Sequence, residues 1–512
     1  MKKSHLQILG VVVLVAVFGY QYMAKRGDSG PANVSRGQFV VPGGTGGFSL
    51  GRLQFTPCEL PQPNSAATTA GFCAPFSVAE DRANPASRSI DLRLALIKSE
   101  ASAYDDFVVI LAGGPGQSAV ETWAGMAPAL APLRKHRHVL LLDQRGTGES
   151  NPLRCPKQDE ADPALAFDIE YSLAQTRACL AAVSTHADPR FYTTTDAVAD
   201  LEELRQALGG PKLDLVGVSY GTRMAQQYLM RHSDGVRSVV LDSPVPNESF
   251  LGQDFARNLE NALDLTFDAC VADASCKASF GDPRASLQRV RASLRAQPQQ
   301  VRYPDPVSFA THDKRLDEFG LAGLLRMFAY APETAALLPL ALAEAEHANY
   351  APMLGQMILI ERGTADLAGS GMQLSVICAE DADQLKVDPA DADTVLGTLM
   401  VEMIKRTCEV WPHGTRPADF HTPLVSATPI LILAGERDPV TPPRYGEEIL
   451  AGLSNGRLLV AKGQGHNVIG RGCIPTLVQR FVDDLAPATL DTSCADAIGP
   501  IPAFIDFNGA AP

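Results

Sequence analysis

Residues 212–222 read Lys-Leu-Asp-Leu-Val-Gly-Val-Ser-Tyr-Gly-Thr. Leu213 to Val216 is a short apolar run suited to a buried strand, and Thr222 to His232 reads as a helix. Gly217 and Gly221 bracket Ser219 at the turn between them. A strand that passes this sharply into a helix crowds its own backbone, which is why the flanking positions are glycine. Such a turn lifts the serine hydroxyl above the sheet at a helix N-terminus. Ser219 is therefore a candidate nucleophile.

Working outward, strand-like runs occur at Phe72–Val78, Ile90–Ile97, Phe107–Leu111, Val139–Leu142, Leu213–Val216, Val236–Leu241 and Ile430–Leu433. The last five are continuously apolar, the mark of strands buried on both faces of a parallel sheet. Helical segments separate them. In Thr195–Leu208, for example, Val198, Leu201, Leu204 and Leu208 trace one face. Alternating strand and helix imply an α/β, doubly wound core. The rhythm stops after Pro246, and residues 247–425 are Ala/Leu/Arg-rich and helical in flavour, interrupted by prolines at 298–306. It returns at Thr428-Pro-Ile-Leu-Ile-Leu-Ala-Gly435. The expected organisation is a core in two parts, 61–246 and 426–512, with a helical cap (247–425) inserted between them. Residues 26–60 form a linker and lead-in, irregular over 36–60.

The chain has 512 residues, 46% hydrophobic, with a net charge of −14. No basic stripe is available to neutralise phosphates, so a nucleic-acid partner is excluded. Met1-Lys-Lys3 precedes an almost purely apolar Leu6–Tyr20, followed by Lys25-Arg26. Residues 1–25 read as a signal peptide or signal anchor. Gln21-Tyr-Met-Ala24 is a poor cleavage site, so an uncleaved segment 6–23 would tether an exported, periplasmic or secreted body to the membrane. Ten cysteines without Cys-x-x-Cys spacing favour disulfides over zinc. The expected pairing joins sequence neighbours in order, and no metal or cofactor is expected.

Further motifs fall at predicted strand ends, where α/β sheets build their sites. Leu111-Ala-Gly-Gly-Pro-Gly116 can present a backbone N–H to a developing oxyanion. Pro115 has no N–H, so Gly114 is the expected donor, paired with the N–H of Tyr220. A phosphate loop would need a lysine that is missing here. In Leu142-Asp-Gln-Arg-Gly-Thr-Gly-Glu-Ser150 an Asp/Arg pair is expected to brace that loop. Asp438 follows the strand at 430–433, and His466 follows the run Arg457–Ala461. The helix expected between them, Pro443–Leu453, would return His466 to the edge that carries Ser219. The order Ser219, Asp438, His466 is that of one layout of serine hydrolases; Asp242 is the alternative acid. In that chemistry His466 takes the serine proton and passes it to the leaving group, while Asp438 orients the imidazole.

Gly113-Gly-Pro-Gly116, Asp143–Ser150, Gly217-Val-Ser-Tyr-Gly221 and the Asp438/His466 pair resemble the proline-iminopeptidase and tripeptidyl-aminopeptidase branch of the α/β hydrolases. Thr193-Thr-Thr-Asp196, Asp200-Leu, Leu204-Arg205 and Ile377-Cys-Ala-Glu-Asp381 are similar to its exported tripeptidyl-aminopeptidase subgroup. Ala112 departs from the histidine that many relatives place before Gly-Gly-Pro-Gly. The resemblance implies an α/β-hydrolase fold and cleavage of short peptides from a free N-terminus. Such an enzyme needs a carboxylate for the substrate ammonium, and Glu380, Asp381 and Asp383 are the candidates. The alternatives are an exported carboxylesterase or lipase with the same triad, and a silent peptide-binding homologue. The latter should have lost a triad member, and this chain retains all three.

Overall fold

The structure, a computed structural model, describes residues 46–62, 65–101, 104–156, 168–364 and 371–511. The expected export segment therefore lies outside the described residues. Among the described residues no helix is long and apolar enough to cross a membrane.

Besides a short C-terminal hairpin, Phe504–Asp506 with Gly509–Ala510, the strands are β1 (Phe48–Leu50), β2 (Leu53–Pro61), β3 (Thr68–Ala79), β4 (Ser89–Ile97), β5 (Asp106–Leu111), β6 (His138–Leu142), β7 (Lys212–Val218), β8 (Val236–Asp242), β9 (Gln299–Pro304), β10 (Thr311–Leu316), β11 (Ile430–Gly435) and β12 (Gly456–Ala461). Ten of them form one sheet in the order β1-β2-β3-β4-β6-β5-β7-β8-β11-β12. From β6 to β12 the pairs are parallel, and from β1 to the β4–β6 pair they are antiparallel. The mostly parallel, doubly wound sheet inferred from the continuous apolar runs is present. β5, β6 and β11 are buried along their whole length.

Because side chains alternate across a strand, each of these strands feeds two cores. Phe107, Val109, Leu213, Leu215 and Ile432 face one layer. Val108, Ile110, Val216, Val218 and Leu433 face the other. On the first face lie helices α2 (Thr194–Ala207) and α3 (Tyr220–Arg231). On the second lie α1 (Ala119–Arg134) and, from the C-terminal segment, α8 (Ile474–Asp484).

β8 and β11 are hydrogen-bonded neighbours, although residues 247–425 separate them in sequence. That interval holds helices α4 (Phe255–Ala272), α5 (Glu318–Ala329), α6 (Gly371–Glu380) and α7 (Leu399–Cys408), among others. Much of it packs around an apolar cluster of its own that includes Leu259, Phe267, Leu325 and Phe328, whereas Met372, Val376 and Ile377 of α6 join the first core layer. It is not purely helical. Across the proline-rich interruption β9 and β10 pair as an antiparallel hairpin, because Val301 and Tyr303 turn inward while their neighbours face solvent. The irregular lead-in is corrected as well. Residues 48–50 and 53–61 are strands β1 and β2, whose alternating burial gave no continuous apolar signal.

All ten cysteines are bridged in the expected neighbour order: Cys58–Cys73, Cys155–Cys179, Cys270–Cys276, Cys378–Cys408 and Cys473–Cys494. Five disulfides imply an oxidising compartment.

Candidate active site

Ser219 stands between β7 and α3 with φ 54° and ψ −123°, a left-handed conformation that a side chain adopts only under constraint. Three features impose it. The Ser219 N–H donates to the Asp242 carbonyl at the end of β8 (2.9 Å), and the Ser219 carbonyl accepts from the Thr222 N–H (2.9 Å) and from Thr222 Oγ1. A Cβ on Gly221 would sit 2.0 Å from the Leu111 carbonyl oxygen, so only glycine permits α3 to approach β5 here. The Ser219 side chain makes no capping bond to its own helix, which leaves it available to another partner. The Gly113–Gly116 loop after β5 lies directly beside it, since a Cβ on Gly113 would meet Ser219 Cβ at 3.2 Å. Gly114 in that loop and Tyr220 at the first position of α3 are thus brought to the serine. The Tyr220 N–H, in the first turn of α3, has no partner within the helix and suits an oxyanion donor; Gly114 would present its N–H from the turn after β5.

Asp438 lies three residues beyond β11, and His466 five residues beyond β12. The helix between these strands runs Pro443–Leu450. The two side chains meet with His466 Nδ1 2.7 Å from Asp438 Oδ2. Asp438 is otherwise saturated: Oδ1 accepts the N–H groups of Val440 and Thr441 at 2.8 Å each, and Oδ2 accepts the Thr441 hydroxyl at 2.9 Å. Burial would raise the Asp438 pKa, but the adjacent His466 and these donors overcome it and hold the carboxyl below its usual range. For His466, burial would lower the value; the Asp438 carboxylate overcomes it, and the imidazole is held above its usual value. An ionised acid beside a strengthened base is the charge state that serine chemistry requires. Thr441 escaped sequence reading. Its only signal was the Asp-x-x-Thr spacing of a turn closed by an aspartate.

Asp242, the alternative acid, plays a different part. Its carboxylate accepts the N–H groups of Val468 (2.9 Å) and Ile469 (3.1 Å), while its carbonyl holds Ser219 N–H. One residue therefore joins the nucleophile turn to the histidine loop. Burial, only partly offset by those two donors, pushes its pKa up to about 6. From the cap, the Tyr330 carbonyl accepts the His466 N–H at 2.8 Å. The Tyr330 ring packs edge-on against the imidazole, with centroids 5.3 Å apart.

The acids expected to receive a substrate ammonium do not face a cleft. Glu380 and Asp381 are both 0% exposed. Glu380 accepts the Thr194 N–H (2.6 Å) and hydroxyl (2.9 Å), and Thr194 Oγ1 meets the Tyr220 hydroxyl at 2.6 Å. The Tyr220 hydroxyl also accepts from Gln144. Burial pushes the Glu380 pKa up to about 8. Asp381 is ion-paired with Arg223 of α3 at 2.8 Å. Both residues brace the nucleophile helix from behind, which corrects their assignment to substrate; the sequence shows an acidic cluster but not which tertiary partners enclose it. Asp383 is more exposed and pairs with Arg416. The Asp/Arg brace is corrected too. Asp143 accepts from Ser118 Oγ and Val120 N at the start of α1, fixing the helix that follows the glycine loop. Arg145 turns instead to Asp200 of α2 in a two-pronged pair at 2.7 Å.

Residues 106–471 match the family described as the alpha/beta hydrolase fold. The protein YuaR of Escherichia coli K12 is 31% identical over 197 residues, a match covering 37% of this chain and 39% of that one. The serine protease Hip1 of Mycobacterium tuberculosis is 24% identical over 469 residues, covering 84% of this chain and 88% of that one. The tripeptidyl aminopeptidase of Streptomyces coelicolor is 26% identical over 488 residues, covering 84% of each.

Proposed function

Because the chain belongs to the α/β-hydrolase family and is a serine hydrolase of the peptidase type, we propose that it is an exported aminopeptidase that releases short peptides or residues from a free N-terminus. The observation that carries the chemistry is the 2.7 Å His466–Asp438 contact, set on a loop that Asp242 ties to the strained Ser219 turn. In this reading Ser219 Oγ attacks the scissile carbonyl as His466 removes its proton. Charge on the carbonyl oxygen is met by the N–H groups of Gly114 and Tyr220. His466 then protonates the departing amine, and a water repeats the sequence to free the acyl-enzyme. The disulfides and the charged-then-apolar start of the chain support export, with residues 6–23 as the tether.

The test is hydrolysis of a matched fluorogenic peptide pair, one with a free amino terminus and one acetylated. The free-amine peptide should be strongly preferred, and Ser219→Ala should lower turnover by roughly 10⁴ to 10⁶. Turnover of simple esters with neither peptide cut would move the assignment to an esterase.

A further inference from the structure

Arg326 lies on α5, one helical turn before Tyr330, so both side chains project from the same face of the cap. Its guanidinium is held without any carboxylate among the described residues. Nη2 is 3.5 Å from the Tyr330 hydroxyl, Nη1 is 3.3 Å from Met400 Sδ, and Cζ lies 4.5 Å over the Phe255 ring. Among the described residues most other enclosed arginines are ion-paired, although Arg437 is not. Arg137, Arg145, Arg223 and Arg291 each rest on an aspartate or glutamate. A half-buried cation whose contacts are a ring, a thioether and a phenol has no counter-charge among them, and such a site favours an incoming anion.

Its position says which part of a substrate would bring that anion. Tyr330 links Arg326 to the catalytic base, its hydroxyl meeting the guanidinium while its ring packs on His466. The positive charge of Arg326 is felt at His466, where it opposes protonation. In acylation His466 hands its proton to the departing nitrogen, so that nitrogen must lie against the imidazole. The residues that follow it then run past the cap on the Tyr330 side. The glycine loop and the Tyr220 N–H hold the carbonyl oxygen on the Ser219 side. An extended residue spans about 3.5 Å, so the path from the imidazole past Tyr330 to Arg326 is on the order of one or two residues long.

We infer that Arg326 receives a carboxylate carried by the leaving fragment, which makes the preferred substrates short peptides with an anionic group just beyond the cut. The carboxylate can be the free chain end or an acidic side chain. This inference rests on the aminopeptidase reading above.

The experiment compares kcat/KM for free-amine peptides identical up to the cut. One ends immediately after it in leucine with a free carboxylate, one in the corresponding leucine amide, and one in aspartate amide. Wild-type enzyme should favour a carboxylate-bearing leaving residue over leucine amide by at least about tenfold, the scale of one charged hydrogen bond. Preference for the free leucine identifies the chain end as the source, and preference for aspartate amide identifies the side chain. Arg326→Met should reduce the ratio to about twofold or less, and Arg326→Lys should keep most of it. Because each ratio is taken within one variant, partial loss of folded protein does not change it. Equal rates on all three peptides, or a ratio that survives Arg326→Met, overturn the inference while leaving the aminopeptidase reading intact. No cleavage of any free-amine peptide overturns both.

Discussion

At the scale of single residues, the two acids near His466 have separable roles. Asp438 touches the imidazole, whereas Asp242 touches only backbone N–H groups of the histidine loop. Asp438→Asn should cost about 10⁴ in kcat, because the amide favours the wrong imidazole tautomer. Asp242→Asn keeps one acceptor oxygen and loses the other, at a cost of about 1–3 kcal/mol in stability; its kcat should fall by only about tenfold. Steady-state kinetics of the two variants side by side checks this, and the reverse order would exchange their roles. A second expectation concerns pH. His466 acts as a base only when neutral, and its pKa is held above the ordinary 6.5 by Asp438. Activity should therefore decline on the acid side from a midpoint above that value, and a kcat/KM profile with its midpoint below 6.5 would contradict the Asp438–His466 coupling. Ser219, Asp438 and His466 were legible as candidates because each follows a strand and the order is restrictive. Glu380 was misread because enclosure by Thr194 and the Tyr220 side chain is a tertiary fact. Arg326 left no signal at all, since an arginine on a Leu-rich helix reads as a solvent-facing residue.

At the scale of elements, the parallel strands were legible because burial on both faces leaves no polar interruption. β1 and β2 were not, because these antiparallel strands at one side of the sheet bury only some of their residues and show no continuous apolar run. Opposite the catalytic edge, the strands begin in a buried ionic cluster. Arg137 contacts Asp106 (2.8 Å) and Asp214 (3.5 Å), Arg237 contacts both aspartates, and Asp483 of α8 closes on Arg137. Three carboxylates face two guanidiniums. Burial first, then the charge of Asp106, drives the Asp214 pKa well above the usual carboxyl range. The folded protein therefore keeps a proton that the unfolded chain releases near 3.8, so this residue's contribution to stability shrinks as pH rises above that value. Asp214→Asn imitates the protonated acid. Its unfolding temperature should vary less with pH between about 5 and 9 than that of the wild type. Thermal melts across that range test it, and an unchanged slope would place the proton elsewhere.

At the scale of the whole molecule, core and cap each have an apolar interior, yet they share the chemistry. The core supplies Ser219, Asp438 and His466 with most of their surroundings, and the cap adds the Tyr330 carbonyl and ring against His466. The sequence marked the cap as an insertion because strand rhythm halts after Pro246 and resumes at Thr428. It could not say which cap residues descend on the site, since that depends on how α4, α5 and α7 pack. The hairpin β9–β10 stayed hidden for the same reason as β1 and β2. The neighbour-to-neighbour disulfides pin local loops and leave core and cap without a covalent strap between β8 and β11. At the site the two meet through the Tyr330 carbonyl, which accepts the His466 N–H, and through Asn258 of α4, which donates to the Val440 carbonyl in the Asp438 turn. The backbone that carries the imidazole is thus held from the cap as well as from β12, so a substitution that shifts α5 would reach the base without touching it.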